Sequence, residues 1–196
     1  MSAVGENETV KDEAELLARI RNGSPDDFGE IVRQHQGLVF SILYRYERDA
    51  HLIEDLAQDT FLKAWKALEQ FDGRAPFSHW LSRIAVHVAL DHLRKKQRIK
   101  KEIGFDELGE DALDWLQGEE QRDELEPGRA REILELAMRE LTAEERLVLT
   151  LQEIEGKSVK EICELTDWSS AATRVRAFRA RAKLKKILLK METEKK

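Results

Sequence analysis

SVKEICELTDWSSAATRVRAFRARAKL, residues 158–184, places Ser158 three positions ahead of Glu161. A hydroxyl at the N-cap and a carboxylate at the third helical position satisfy each other's backbone donors, so this pair starts a short helix, 159–166. Periodicity then breaks at Asp167-Trp168-Ser169-Ser170, and a longer helix runs from Ala171 to about Lys190. Its polar positions are Arg174, Arg176, Arg179, Arg181, Lys183, Lys185 and Lys186, with Val175, Phe178, Ala182 and Leu184 interleaved as its expected anchors. A short helix, a tight turn and a longer basic helix make a helix-turn-helix.

Upstream, Thr142-Ala-Glu-Glu145 is a second capping box that opens a helix over about 143–154. Pro127 opens the helix before it, where Leu134, Ala137, Met138 and Leu141 recur at helical spacing. Toward the N-terminus, Ser24-Pro25-Asp26-Asp27 predicts a serine-capped helix start, followed by Phe28, Ile31, Val32, Leu38, Val39, Ile42 and Leu43. A second helix, about Leu52–Leu68, carries Ala57, Phe61, Ala64, Trp65 and Leu68 on one stripe. After the break Phe71-Asp72-Gly73-Arg74-Ala75-Pro76, a third helix shows Phe77, Trp80, Leu81, Ile84, Ala85 and Val88 on its apolar face. No strand alternation is present. The expected fold is all-α: two small helical domains, 13–101 and 127–196, joined by a flexible acidic linker, 102–126, behind a disordered N-terminus, 1–12.

The chain has 196 residues, a formal net charge of -6 and one cysteine, Cys163. Its charge is segregated. Asp91–Lys101 holds six Lys/Arg and one acid, Glu102–Glu126 eleven Asp/Glu and one Arg, and Arg174–Lys190 eight Lys/Arg and no acid. Two basic stretches flanking an acidic one are two candidate nucleic-acid surfaces hidden in an acidic average. The acidic stretch repels itself and, stretched, spans roughly 80 Å, enough for two domains to grip separate parts of one ligand. Lack of a long apolar run argues against membrane insertion, and a lone cysteine without a secretory signal suits the cytoplasm.

In the last helix, Ser169–Arg176 would enter a major groove, where arginine reads guanine, and later cations would meet phosphates. The basic stretch after Asp91 continues the helix of Trp80, Arg83 and His87. With Phe71, Arg74 and Phe77 these could hold unpaired bases by stacking and cation–π contact. The plainer alternatives are a solvated basic helix and, for Phe77 and Trp80, ordinary core. Acids 54, 55 and 59 lie away from the apolar stripe of their helix. Catalysis is not expected: there is no Glu-x-x-His, H-E-x-x-H, P-loop or Gly-rich dinucleotide turn, and neither metal, cofactor nor small-molecule substrate is implied.

Phe28-Gly-Glu-Ile-Val, Asp55-Leu-Ala-Gln-Asp-Thr-Phe-Leu-Lys-Ala-Trp and Phe77-Ser-His-Trp-Leu-Ser-Arg-Ile-Ala resemble the region-two domain of extracytoplasmic-function (ECF, group IV) sigma factors of bacterial RNA polymerase. Leu141-Thr-Ala-Glu-Glu-Arg-Leu-Val-Leu, Glu155-Gly-Lys-Ser-Val-Lys-Glu-Ile-Cys and Thr173-Arg-Val-Arg-Ala-Phe-Arg-Ala-Arg-Ala-Lys-Leu resemble their region four. The resemblance implies an alternative sigma factor that directs promoter-specific initiation. Asp55, Gln58, Asp59, Leu62 and Lys63 would bind core polymerase, whose beta and beta-prime subunits are the implied partners. Phe71, Arg74, Phe77, Trp80, Arg83, His87, Arg94, Lys95 and Lys96 would read and help melt the −10 element. Ser169, Ser170, Thr173, Arg174, Arg176, Arg179, Arg181 and Lys183 would read the −35 element. The acidic linker would thread the RNA exit channel, and an anti-sigma factor would restrain the protein, holding it near the membrane. His87 stands where the family often has asparagine, Asp167-Trp168 where it has glycine and a small aliphatic, and Ala171-Ala172 where glycine and threonine are frequent. The rival reading is a dimeric helix-turn-helix regulator that leaves the sigma subunit in place; a metal-dependent helical enzyme is a remoter third.

Overall fold

The computed structural model describes residues 13–102 and 127–193. The sequence expectations for the N-terminal 1–12 and for nearly all of the linker, including Leu113, Trp115 and Leu116, lie outside the described residues. Contacts divide the chain into two units, Met1–Ala89 and Leu90–Lys196. Among the described residues there is no strand.

The first unit opens with α1, residues 13–21, whose Leu16, Leu17 and Ile20 are buried. A single 3-10 turn, Pro25–Asp27, then leads into α2, Phe28–Leu43. The expected serine cap is absent, since the Ser24 side chain makes no capping hydrogen bond. Proline fixes the turn's φ instead, and Arg19 holds the Asp27 carboxylate at 3.1 Å beside the helix start. α3, Ala50–Ala67, begins two residues earlier than its apolar stripe, because the Asp49 carboxylate accepts from the backbone N–H of His51 and Leu52 at 2.9 and 3.1 Å. A 3-10 turn, Leu68–Gln70, closes it.

α4, Phe77–Glu102, continues without a break past the end of the first unit. The core there is Ile31, Val39 and Leu43 of α2, Ile53, Ala57, Phe61 and Ala64 of α3, and Phe77, Leu81 and Ala85 of α4, each at most 8% exposed. Trp65 departs from the expected stripe: it is 38% exposed, at the edge of the α2–α3 contact.

In the second unit, α5, Pro127–Arg139, buries Ala137 and Met138 but leaves Leu134 39% exposed. α6, Ala143–Leu149, carries the full Thr142/Glu145 capping box and runs into a π-helical turn, Thr150–Ile154. α7, Val159–Thr166, carries the Ser158/Glu161 box. α7 ends at Asp167, whose φ of 58° is left-handed, a conformation aspartate tolerates better than most residues. α8 is Ser170–Thr193. Ser169 caps it by accepting from the Ala172 N–H at 3.2 Å, one residue ahead of the expected start.

Candidate nucleic-acid and protein interfaces

α8 packs chiefly on α6, and its inward stripe is Thr173, Ala177 and Ala180, spaced at i, i+4 and i+7. That register overturns the expectation that Val175, Phe178 and Ala182 anchor the helix. Val175 is 48% and Phe178 73% exposed, and Ala182 is exposed as well; only Leu184 turns partly inward. The outward surface therefore mixes Ala171, Val175 and Phe178 with the exposed cations Arg174 and Arg179.

The remaining candidates on this helix have other occupations. Thr173 is buried; its hydroxyl donates to the Ser169 carbonyl at 3.0 Å and lies 3.5 Å from the Cys163 sulfur, so it ties the turn together. The Arg176 guanidinium stacks on the Trp168 ring at 4.3 Å, with one nitrogen buried and lacking an acceptor. Arg181 pairs with Glu153 at 2.7 Å and Lys183 with Glu145 at 3.2 Å. Burial pushes the Glu145 carboxyl up, but hydrogen bonds from the Thr142 backbone and the Lys183 ammonium outweigh it and leave its pKa lowered. Ser169 and Ser170 are exposed at the helix start. Val175, Phe178 and Ala182 are the residues a sequence reading misplaces; counting the wheel from the buried Thr173 and Ala177 turns them outward.

The loop between α3 and α4 gathers its aromatics. Phe71 meets Phe77 at 5.3 Å edge-on and Trp80 at 5.4 Å, and Phe77 meets Trp80 at 5.3 Å. Phe77 is 1% exposed, so it is the floor of the cluster, while Phe71 and Trp80 are half-buried and open to the surface. Gly73 takes a positive φ of 73°, which lets the loop turn. Arg74 stays exposed, with its guanidinium 3.2 Å from Asp72. Arg83 and His87 follow half-buried on α4, and Arg94, Lys95 and Lys96 are exposed further along the same helix.

On α3, Asp55, Gln58, Leu62 and Lys63 are exposed, and Lys63 bridges Asp59 at 3.0 Å. Beside them lies a cleft of about 560 Å³ between α2 and α3, where Phe28 and Trp65 stack edge-on at 5.0 Å and Phe40 and Leu62 stand at the rim. Periodicity alone missed this cleft by assigning Trp65 to the core. Among the described residues no group of three or more His, Cys, Asp or Glu side chains is placed to hold a metal ion, and no helix is long and apolar enough to cross a membrane.

Residues 31–99 match the family described as Sigma-70 region 2, and residues 131–184 that described as Sigma-70, region 4. The RNA polymerase sigma-H factor of Pseudomonas aeruginosa is 32% identical over 187 residues, covering 92% of this chain and 95% of that protein. The ECF RNA polymerase sigma-E factor of Haemophilus influenzae is 32% identical over 180 residues, covering 89% and 93%. Among solved structures, CnrH in complex with the cytosolic domain of CnrY matches with a TM-score of 0.53 and 27% identity, over 88% of this chain and 94% of that one.

Proposed function

The chain belongs to the sigma-70 family, in its extracytoplasmic-function class, and is an alternative sigma factor of promoter-directed transcription initiation rather than an enzyme; from that premise we propose how its residues divide the work. The exposed face of α3, with Asp55, Gln58, Asp59, Leu62 and Lys63, binds core RNA polymerase. Phe71 and Trp80, floored by Phe77, stack on bases unpaired from the −10 element, and Arg74, Arg83 and His87 line their path. Arg94, Lys95 and Lys96 hold the adjoining phosphates.

At the −35 element, Ser169, Ser170 and Arg174 face base edges at the N-terminal end of α8. Val175 and Phe178 offer apolar contact to thymine methyls, and Arg179 with Lys185 and Lys186 meets phosphates. Thr173, Arg176, Arg181 and Lys183 serve this surface from behind, through the turn, the Trp168 stack and their pairs with Glu153 and Glu145. The acidic segment 102–126 takes the polymerase channel built for RNA, its charge standing in for a polyanion. An anti-sigma protein restrains the factor in the cytoplasm; the complex of CnrH with the cytosolic domain of CnrY supports a cytosolic protein partner.

The single observation that carries this division is that the two family regions fall on the two stretches bearing the aromatic loop and the outward basic helix. Purified protein added to sigma-free core polymerase with genomic DNA should produce discrete new transcript 5′ ends that share two upstream elements at fixed spacing. If active core yields no new starts, while the free protein binds a palindromic duplex as a dimer, the division is wrong.

A further inference from the structure

Ahead of the region-two match, which starts at residue 31, α1 makes two ties to the aromatic loop. Arg21 donates through one guanidinium nitrogen to the Leu68 carbonyl at 2.9 Å and to the Phe71 carbonyl, and its guanidinium lies 5.8 Å from the Phe71 ring centre. Glu13 accepts from His35 Nε2 at 2.6 Å, and the His35 ring packs 5.3 Å from Phe77. The last carbonyls of a helix favour a cation; that of Leu68 accepts the Phe71 N–H at 3.2 Å in the closing turn and has its second lone pair for Arg21. Leu68 and Phe71 lie at that end of α3, where the chain leaves its closing turn for the loop. Phe71 is thereby gripped on both sides: by Arg21 at its carbonyl and ring, and by Phe77 and Trp80 across the cluster.

We propose that Arg21 is a positioning residue for −10 recognition: it sets the exit of the α3 turn so that Phe71 presents its ring to an unpaired base, and α1 is thereby a working part of the DNA reader. This rests on the −10 role assigned above to Phe71 and Trp80. Lysine carries the charge, and its ammonium has donors enough for both carbonyls, but it lacks the planar guanidinium that lies beside the Phe71 ring. Glutamine removes the charge altogether. Arg19, two residues earlier, pairs its guanidinium with Asp27 at 3.1 Å and makes a neighbouring control.

The test uses holoenzyme assembled from core polymerase and full-length protein. Its probe is a fork-junction DNA whose single-stranded overhang carries the −10 element mapped from the transcript starts. Arg21→Gln should weaken fork binding about tenfold, the scale of one lost charge-assisted hydrogen bond. Arg21→Lys should weaken it less and Arg19→Gln hardly at all, with core affinity and capture of duplex −35 DNA unchanged throughout. Wild-type fork affinity in Arg21→Gln overturns the proposal. So does an equal loss of core affinity, which would mean that Arg21 only holds the domain together. Phe71→Ala in the same assay separates the two ideas: if it too binds the fork normally, the −10 role of the loop has failed; if it alone is impaired, Arg21 has.

Discussion

Replacing Phe178 by alanine asks which way α8 faces. If Phe178 anchored the helix in a core, its truncation would cost about 3–5 kcal/mol. At 73% exposure it has only about a quarter of its surface to lose. Scaling the roughly 1.5–3 kcal/mol of a fully buried phenylalanine by that fraction leaves about 0.4–0.8 kcal/mol. For a unit of this size about 1 kcal/mol moves the midpoint by roughly 4–8 °C, so the outward orientation allows a drop of no more than about 6 °C, whereas an anchor would remove well over 10 °C. Ala180, fully buried in the opposite face, should behave inversely: Ala180→Leu overpacks the contact with α6 at a cost of about 1–3 kcal/mol. Scanning calorimetry of the full-length chain reads both, and transcription from the mapped promoter should fall for Phe178→Ala despite intact folding. A Phe178→Ala midpoint more than 10 °C below wild type would refute the register assigned to α8, and the proposed −35 surface with it.

The two capping boxes should each matter by about 1 kcal/mol, so that Thr142→Ala and Ser158→Ala each lower the urea midpoint of the second unit; no change in either would mean the boxes do not hold these helices. Glu145 and Glu161 both titrate below the ordinary 4.5, Glu161 chiefly through the Ser158 hydroxyl and backbone. A depressed carboxyl favours the folded state above its unfolded pKa and loses that advantage as pH falls through the folded value, so stability should drop from about pH 4.5 downward, less steeply in Glu145→Gln. Asp167→Val puts a β-branched residue at φ 58° and should destabilise the second unit by about 1–2 kcal/mol, measured by thermal melting. Removing Arg179, if it meets one phosphate, should flatten the slope of log affinity against log salt by about 0.9 while sparing promoter choice.

Much of the fold is legible because local signals and tertiary packing agree. Thr142/Glu145 and Ser158/Glu161 are short-range pairs whose geometry is complete within four residues, and they stand as read. The start of α3 escaped because its signal, Asp49, lies outside the apolar stripe used to find the helix. Trp65 escaped for a different reason: hydrophobicity places a large aromatic near the core, but whether it closes the core or rims a cleft depends on how far α2 stands from α3, which no local pattern encodes. The loop aromatics were legible as a group, yet only packing could divide them into a buried floor, Phe77, and an open face, Phe71 and Trp80. Arg21 was invisible, since its acceptors are backbone carbonyls about fifty positions away.

The inversion of α8 has a more general cause. A sequence reading assigns the largest apolar side chains inward, and between residues 170 and 184 of this helix they are Val175, Phe178 and Leu184. The buried side of the helix instead uses alanine at 177 and 180 and a threonine whose hydroxyl is satisfied within its own turn, 3.5 Å from the Cys163 sulfur of α7. Small residues at a helix contact let the axes approach closely, toward the 8 Å end of the roughly 8–10 Å range. A recognition helix gains from this arrangement, because burial that needs no bulky side chain leaves those side chains for the outward face. There Phe178 and Val175 sit among arginines, an apolar stripe framed by cations, which is a poor surface for water and a suitable one for a groove lined by thymine methyls between phosphate walls. The feature that defeats hydrophobic periodicity as a guide to packing is thus the one on which the proposed −35 surface of this helix rests.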